Sequence, residues 1–192
     1  MRFSLDLVRG AWDDWCLYTD IMEELEYREL QESDFEALKS LHGDFFPVKY
    51  SDMFFANACK GVGLRGGQLY NLVAVQPPRG MSTWEGEEEE EEEERIVGFL
   101  LAQVFDASTA EDADLFFPTL LSPKRVCYVL TLGFIPEYRR AGLASLFILK
   151  LRNDMELDPY CGAVYLHVIT TNNAALHFYS HNDFLCLRSL QG

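Results

Sequence analysis

Positive charge is scarce in this chain: 16 Lys and Arg stand against 31 Asp and Glu, a formal net charge of −15 over 192 residues. Affinity for nucleic acid comes mainly from clustered cations that displace counterions from phosphates, so this balance argues against a general nucleic-acid binder. Cysteine is sparse as well. Cys16, Cys59, Cys127, Cys161 and Cys186 lie far apart, without a C-x-x-C pair or a histidine at ligand spacing. Neither a zinc site nor a disulfide framework is indicated, and no metal is expected. The sequence also lacks any run near the roughly eighteen apolar residues of a membrane-spanning helix. Its start, MRFSLDLVRGAWDDW, meets Asp6 and Arg9 too early for a secretory signal. The expectation is an intracellular, cytoplasmic protein with no transmembrane segment.

What is present is ample core material. A hydrophobic fraction of 48% in a chain about the length of one domain suffices to bury a real interior. Much of the negative charge is local: removing the run of 8 glutamates, Glu87 to Glu94, from the net −15 leaves −7. Charge of one sign repels itself and stays hydrated, so residues 76–94 read as a solvated insertion loop between two strands.

Residues 1–23 show no sustained period and carry two tryptophans among acids, which suits a loosely docked extension better than a first strand. From Glu24 the pattern sharpens. ELEYREL alternates as a short strand, then Ser33 or Asp34 caps a helix with Phe35, Leu38 and Leu41 at helical spacing. Pro47 ends it, and Ser51-Asp52 cap a second short helix through about Cys59. Leu69 to Val75 and Ile96 to Phe105 read as strands, and Asp106 to Pro123 as an irregular loop. Arg125 to Ile135, RVCYVLTLGFI, has the continuous apolar character of a strand covered on both faces. A helix follows from near Gly142, with Leu143, Phe147, Leu151 and Met155 at i+4 intervals. Ala163 to Ile169 is a buried strand, Ala174 to Ser180 a helix, and Phe184 to Leu187 the start of a last strand. This βαβ succession after hairpin-joined strands predicts an α/β domain with a mixed central sheet flanked by helices.

The turn Arg139-Arg140-Ala141-Gly142-Leu143-Ala144 joins a central strand to a helix, where free backbone N–H groups and the helix dipole favour an anion. Gly142 and Ala144 let phosphate oxygens approach the backbone, while Arg139 and Arg140 supply charge. By itself R-x-x-G-x-A matches many surface turns; the strand before it and the amphipathic helix after it favour a pyrophosphate site over a pair of solvated arginines.

With those residues in view, the chain resembles the GCN5-related N-acetyltransferase (GNAT) superfamily, whose acetyl-CoA loop has the form Q/R-x-x-G-x-G/A. The likeness is greatest to the N-terminal protein acetyltransferases. It is carried by FFPVKYSDMFF (Phe45 to Phe55), YVLTLGFIPEYRRAGLAS (Tyr128 to Ser145) and YLHVITTNNAALHFYSHNDF (Tyr165 to Phe184). The first two motifs resemble both NatE and NatF types; YLHVITTNN and the preceding LHGDFFP resemble NatF more. The resemblance implies a GNAT domain over 24–192 and transfer of acetyl from acetyl-CoA, as co-substrate, to the free α-amine of protein N-termini that retain Met. It implies Tyr128 and His167 as the catalytic acid and base on adjacent strands. Taken alone, His167 would be a satisfied core histidine and Tyr128 a core phenol.

The same resemblance implies that Leu132, Gly133 and Phe134 pair with the pantetheine arm as an added strand would. Arg139, Arg140, Ala141, Gly142, Leu143, Ala144 and Ser145 are implied at the pyrophosphate. Asn172, Tyr179, Ser180, His181 and Asn182 are implied along pantetheine and adenosine, although Asn172 alone reads as a helix cap. Phe46, Pro47 and Tyr50 match the peptide-binding loop, and Leu130 lines the peptide path. Lys49 stands where NatF-like sequences often carry an acid. After Phe184 the family continues through a tyrosine-bearing hairpin and a final strand, whereas here LCLRSLQG follows; a truncated C-terminus with that hairpin missing is the expectation, and peripheral membrane attachment is not carried over. Two other readings stay open: a GNAT acting on lysine or a small amine, and an acetyl-CoA-binding module that does not turn over.

Overall fold

The computed structural model describes residues 2–6, 24–78, 94–116 and 124–189. The acidic insertion and most of the N-terminal extension therefore lie outside the described residues. The elements in chain order are β1 (Arg2–Asp6), β2 (Glu26–Arg28), α1 (Phe35–Phe45), α2 (Asp52–Ala58), β3 (Leu69–Gln76), β4 (Arg95–Asp106), α3 (Ala113–Phe116), β5 (Arg125–Phe134), α4 (Leu143–Glu156), β6 (Cys161–His167), α5 (Asn173–His181) and β7 (Leu185–Arg188). They build one seven-stranded sheet in the order β2-β3-β4-β5-β6-β1-β7. Pairing is antiparallel from β2 to β5, parallel between β5 and β6, and antiparallel again where β1 lies between β6 and β7. The parallel pair needs a crossover connection, which α4 supplies.

Helices cover both faces, as the mixed-sheet expectation requires. Alternate residues of β3 point to opposite sides: Val73 and Val75 join Leu38 of α1 and Phe54, Phe55 and Ala58 of α2, whereas Leu72 and Ala74 join Leu143, Phe147 and Leu151 of α4. Leu176, Phe178 and Tyr179 of α5 pack against the second cluster. Phe147 is fully buried, with Phe134 edge-on at 5.1 Å and Tyr27 at 6.0 Å between ring centroids. Truncating it removes a large apolar volume from a site walled by two aromatic rings that cannot collapse into the void. Phe147→Ala is therefore expected to lower the unfolding free energy by about 3–5 kcal/mol, read from the urea midpoint at unchanged slope.

Three local expectations are corrected. Residues 2–6 form a strand within the sheet; five residues paired with strands more than a hundred and fifty positions away leave no local periodic signal. The segment expected to be irregular after Asp106 contains the short helix α3. Asp34 occupies the N-cap position of α1 without a side-chain cap bond; its carboxylate instead accepts from the Gln31 N–H at 2.7 Å and from Arg28 at 2.7 Å. Ser51 caps α2 as its sequence suggests, its side chain accepting from the Phe54 N–H at 3.4 Å.

Candidate active site

The parallel ladder of β5 with β6 pairs Tyr128 with Tyr165 and goes no further. Residues directly paired share a face and successive residues alternate, so His167, two beyond Tyr165, falls on the face of Tyr128. The Tyr128 hydroxyl lies 3.0 Å from His167 Nδ1. On the other side of the ring, His167 Nε2 lies 2.7 Å from Asp112 Oδ2. Asp112 has no exposed side-chain surface, whereas the His167 side chain keeps 31% of its own. A buried carboxylate accepts the Nε2 proton, which leaves the Nδ1 lone pair to accept from the Tyr128 hydroxyl. The three groups thus form a line from a buried carboxyl group through a ring to a phenolic hydroxyl at a partly open mouth.

Asp112 was not legible in the sequence. It sits in the connection before α3, and its place is set by packing: Ala107, Ala110 and Phe116 form a small cluster with Val126, Ala163 and Tyr165, against which Tyr128 packs. No spacing or motif marks an acid among alanines as the partner of a histidine 55 residues later.

Beyond Tyr128 the two strands part. β5 stays paired with β4 as far as Phe134, with an irregularity between Leu101↔Thr131 and Ala102↔Val129 that makes Leu130 an extra residue. Its β6-facing edge over 129–134 is thereby separated from the β6 ladder, a geometry suited to an extended ligand that adds a strand. Leu132 and Gly133 are half-buried there. A Cβ on Gly133 would stand 2.5 Å from Phe45, so glycine is what lets α1 approach. The Phe134 carbonyl accepts from Arg139 Nε at 2.8 Å, which fixes Arg139 at the start of the turn.

That turn is conformationally demanding. Arg140 has φ +66° and Gly142 φ +79°; the second is free for glycine and the first is strained for arginine. α4 then begins at Leu143 with no side-chain cap, so the amides of its first turn face the bend of Arg139, Arg140, Ala141 and Gly142 unclaimed by a side chain. Leu143 is buried into the core, while Ala144 and Ser145 are half-buried at the rim. The strained Arg140, the uncapped amides and two exposed arginines lie together here, a grouping of the kind that suits an anion.

α5 is capped by Asn172, whose side chain accepts from the Ala175 N–H at 3.1 Å. It ends at Asn182, which donates to the Phe178 carbonyl at 2.8 Å; both asparagines hold the helix ends. Burial pushes the Tyr179 phenol up, and nearby Tyr128 adds to the shift. Ser180 and His181 are exposed at the end of α5.

Phe46, Tyr50 and Leu130 each pack, partly buried, against the α1/α2 cluster, and Pro47 and Lys49 are exposed in the same loop as Phe46 and Tyr50. Beneath lies His42, 1% exposed, with ring centroids 4.9 Å from Phe46 and 5.1 Å from Tyr50. Burial lowers its pKa from the ordinary 6.5. The unfolded chain therefore takes up this proton first as pH falls, so the stability tied to neutral His42 is full above about 6.5 and is lost below it. The urea midpoint is expected to drop between pH 7 and pH 5, and His42→Leu to flatten that segment of the profile.

A cleft of about 620 Å³ lined by Tyr70, Arg125, Met155 and Leu157 lies at the other end of β5 and includes none of these residues. Among the described residues no cluster of His, Cys, Asp and Glu is suited to a metal ion, and no helix is long and apolar enough to cross a membrane.

The mixed sheet thus opens between its parallel strands, with the uncapped start of α4 and two exposed arginines at one end of the opening and the Tyr128–His167 contact at the other. The sequence profile of the Acetyltransferase (GNAT) family matches residues 35–184, and the chain belongs to that family. It is 29% identical over 170 residues to N-alpha-acetyltransferase 60 of Danio rerio, covering 86% of this chain and 62% of that protein. It is 30% identical to Histone acetyltransferase MCC1 of Arabidopsis thaliana, over 88% of this chain and 63% of that one. The chain thus spans about three-fifths of the length of these curated relatives. Among solved structures it is similar to Arabidopsis thaliana NAA60 in complex with acetyl-CoA, with a TM-score of 0.69 and 31% identity over 85% of this chain and 86% of that one.

Proposed function

We propose that this chain is an acetyl-CoA-dependent N-α-acetyltransferase that acetylates protein N-termini beginning with Met, such as Met-Leu and Met-Lys. The observation that carries the reading is the Tyr128–His167 contact of 3.0 Å at the point where β5 and β6 separate. It supports a thioester held in the opening, with its carbonyl beside this hydrogen-bonded pair and its pantetheine arm along the edge of Leu132, Gly133 and Phe134. Arg140, Gly142 and the first amides of α4 suit the pyrophosphate, and the end of α5 around Tyr179 suits the pantetheine and adenosine. Phe46, Pro47, Tyr50 and Leu130 suit the first side chain and backbone of the peptide.

In this reading the neutral α-amine attacks the thioester carbon, the C–S bond breaks as the tetrahedral intermediate collapses, and the thiolate takes a proton. The Tyr128 oxygen takes the proton lost by the amine as its own proton passes to His167 Nδ1, so the ring acts as the base through the tyrosine, and Asp112 balances the charge the ring acquires. Tyr128 returns a proton to the departing sulfur, and backbone amides near Leu130 to Gly133 hold the oxyanion. A peptide α-amine ionises near 7.7–8.0 against about 10.4 for lysine, so a modest base suffices at neutral pH.

The relative whose name describes a histone acetyltransferase favours a second reading, transfer to lysine. A Met-Lys peptide carries both amines and separates the two. Fragmentation mass spectrometry of the product is expected to find the acetyl group on the Met α-amine; acetyl on the lysine side chain alone would replace the first reading with the second.

A further inference from the structure

The ladder that joins β6 to β5 stops at Tyr165, yet the ladder that joins β6 to β1 continues through Phe3↔Leu166 to Arg2↔His167. Strand pairing at the end of β6 that carries His167 therefore comes from β1. Three of the same five residues also pair with β7, through Ser4↔Leu185, Phe3↔Cys186 and Arg2↔Arg188. β7 in turn holds the connection that bears Asp112: Arg188 pairs with Asp114 at 2.5 Å, two residues after the carboxylate that meets His167. The ion pair is exposed and by itself contributes little. The backbone pairing is the stronger tie, because β1 occupies the interior of the sheet and both of its edges are engaged.

We propose that Arg2–Asp6 is a positioning strand for the reaction: by pairing with β6 up to His167 and with β7, it fixes the imidazole against Tyr128 and keeps the Asp112 connection in place. This rests on the acetyltransferase reading for its effect on rate, though not for the placement of the strand. A misplacement of about 1 Å in a proton-handling group is enough to cost orders of magnitude in turnover. Binding of the carrier engages β5 and α4 on the other side of the opening and does not depend on β1.

The test has two arms on the full chain. In the first, Phe3→Cys is made in a Cys16→Ser background, since the register sets position 3 opposite Cys186, and cross-strand partners lie within disulfide reach. Mild oxidation is expected to join the introduced thiol to Cys186 within one chain, at a rate independent of protein concentration. A disulfide between chains, or none, overturns the placement. In the second arm, Ser4→Pro, which removes a backbone donor in the middle of β1, is compared with Ser4→Ala. Ser4→Pro is expected to lower kcat about tenfold or more with KM for acetyl-CoA within about twofold, and Ser4→Ala to leave both unchanged. Equal kcat in the two variants, or a loss confined to KM for acetyl-CoA, overturns the positioning role. Absence of transfer by the unaltered chain would instead sink the acetyltransferase reading, while the disulfide arm still reports on the strand.

Discussion

Replacing His167 by alanine is expected to lower kcat for transfer to a free Met peptide by about 10²–10³-fold, which is the usual contribution of a positioned general base. At about 1.36 kcal/mol per tenfold, that is about 3–4 kcal/mol of transition-state stabilisation. Acetyl-CoA affinity should change little, because the ring lies at the mouth of the opening and the proposed reading sets the carrier's phosphates at the turn of Arg140 and Gly142. His167 keeps 31% of its side-chain surface exposed, so the truncation leaves no large buried void and the fold should survive. Single-turnover measurements and equilibrium binding on the same samples separate the two quantities. A parallel fall in affinity and rate would show that the histidine binds rather than reacts.

Asp112→Asn is expected to cost about as much, about 10²-fold or more in kcat, although the substituted atom need not touch substrate. Aspartate accepts the Nε2 proton of His167 at 2.7 Å and leaves Nδ1 available to Tyr128. An asparagine amide can instead donate to Nε2 and hold the proton on Nδ1, where it blocks acceptance from the tyrosine; this wrong-tautomer penalty is the one known from histidine–aspartate pairs in hydrolases. Asparagine also keeps the volume of a fully buried side chain, so a loss of rate without a loss of stability isolates the tautomer effect. A kcat within about threefold of the unaltered chain would remove Asp112 from the mechanism and leave it as packing for the loop.

The helices and most strands were legible because their signals are local. Leu143, Phe147, Leu151 and Met155 recur at helical spacing and are buried on one face of α4, and the apolar run from Arg125 is a strand sandwiched between layers. Tyr128 and His167 were legible only through their motif context, and the structure brings their side chains into contact. Phe46, Tyr50 and Leu130 pack against one cluster although Leu130 is 80 residues from Tyr50, which no local pattern in the sequence announces. Asp112 and β1 were not legible for a common reason. Each is placed by partners far away in the chain, His167 for one and β6 with β7 for the other, and neither leaves a periodic or motif signal in its own neighbourhood.

The central claim is acetyl transfer to a free N-terminal amine, and one measurement meets it directly: initial rates of CoA release with peptides beginning Met-Leu, Met-Lys and Ser-Glu, each free and with its α-amine blocked, with acetyl-CoA binding recorded on the same preparation. The account predicts turnover of the free Met peptides, little with Ser-Glu, and none once the α-amine is blocked. Tight acetyl-CoA binding with no release of CoA in the presence of any free peptide would contradict it and leave a carrier-binding protein that does not acetylate N-termini.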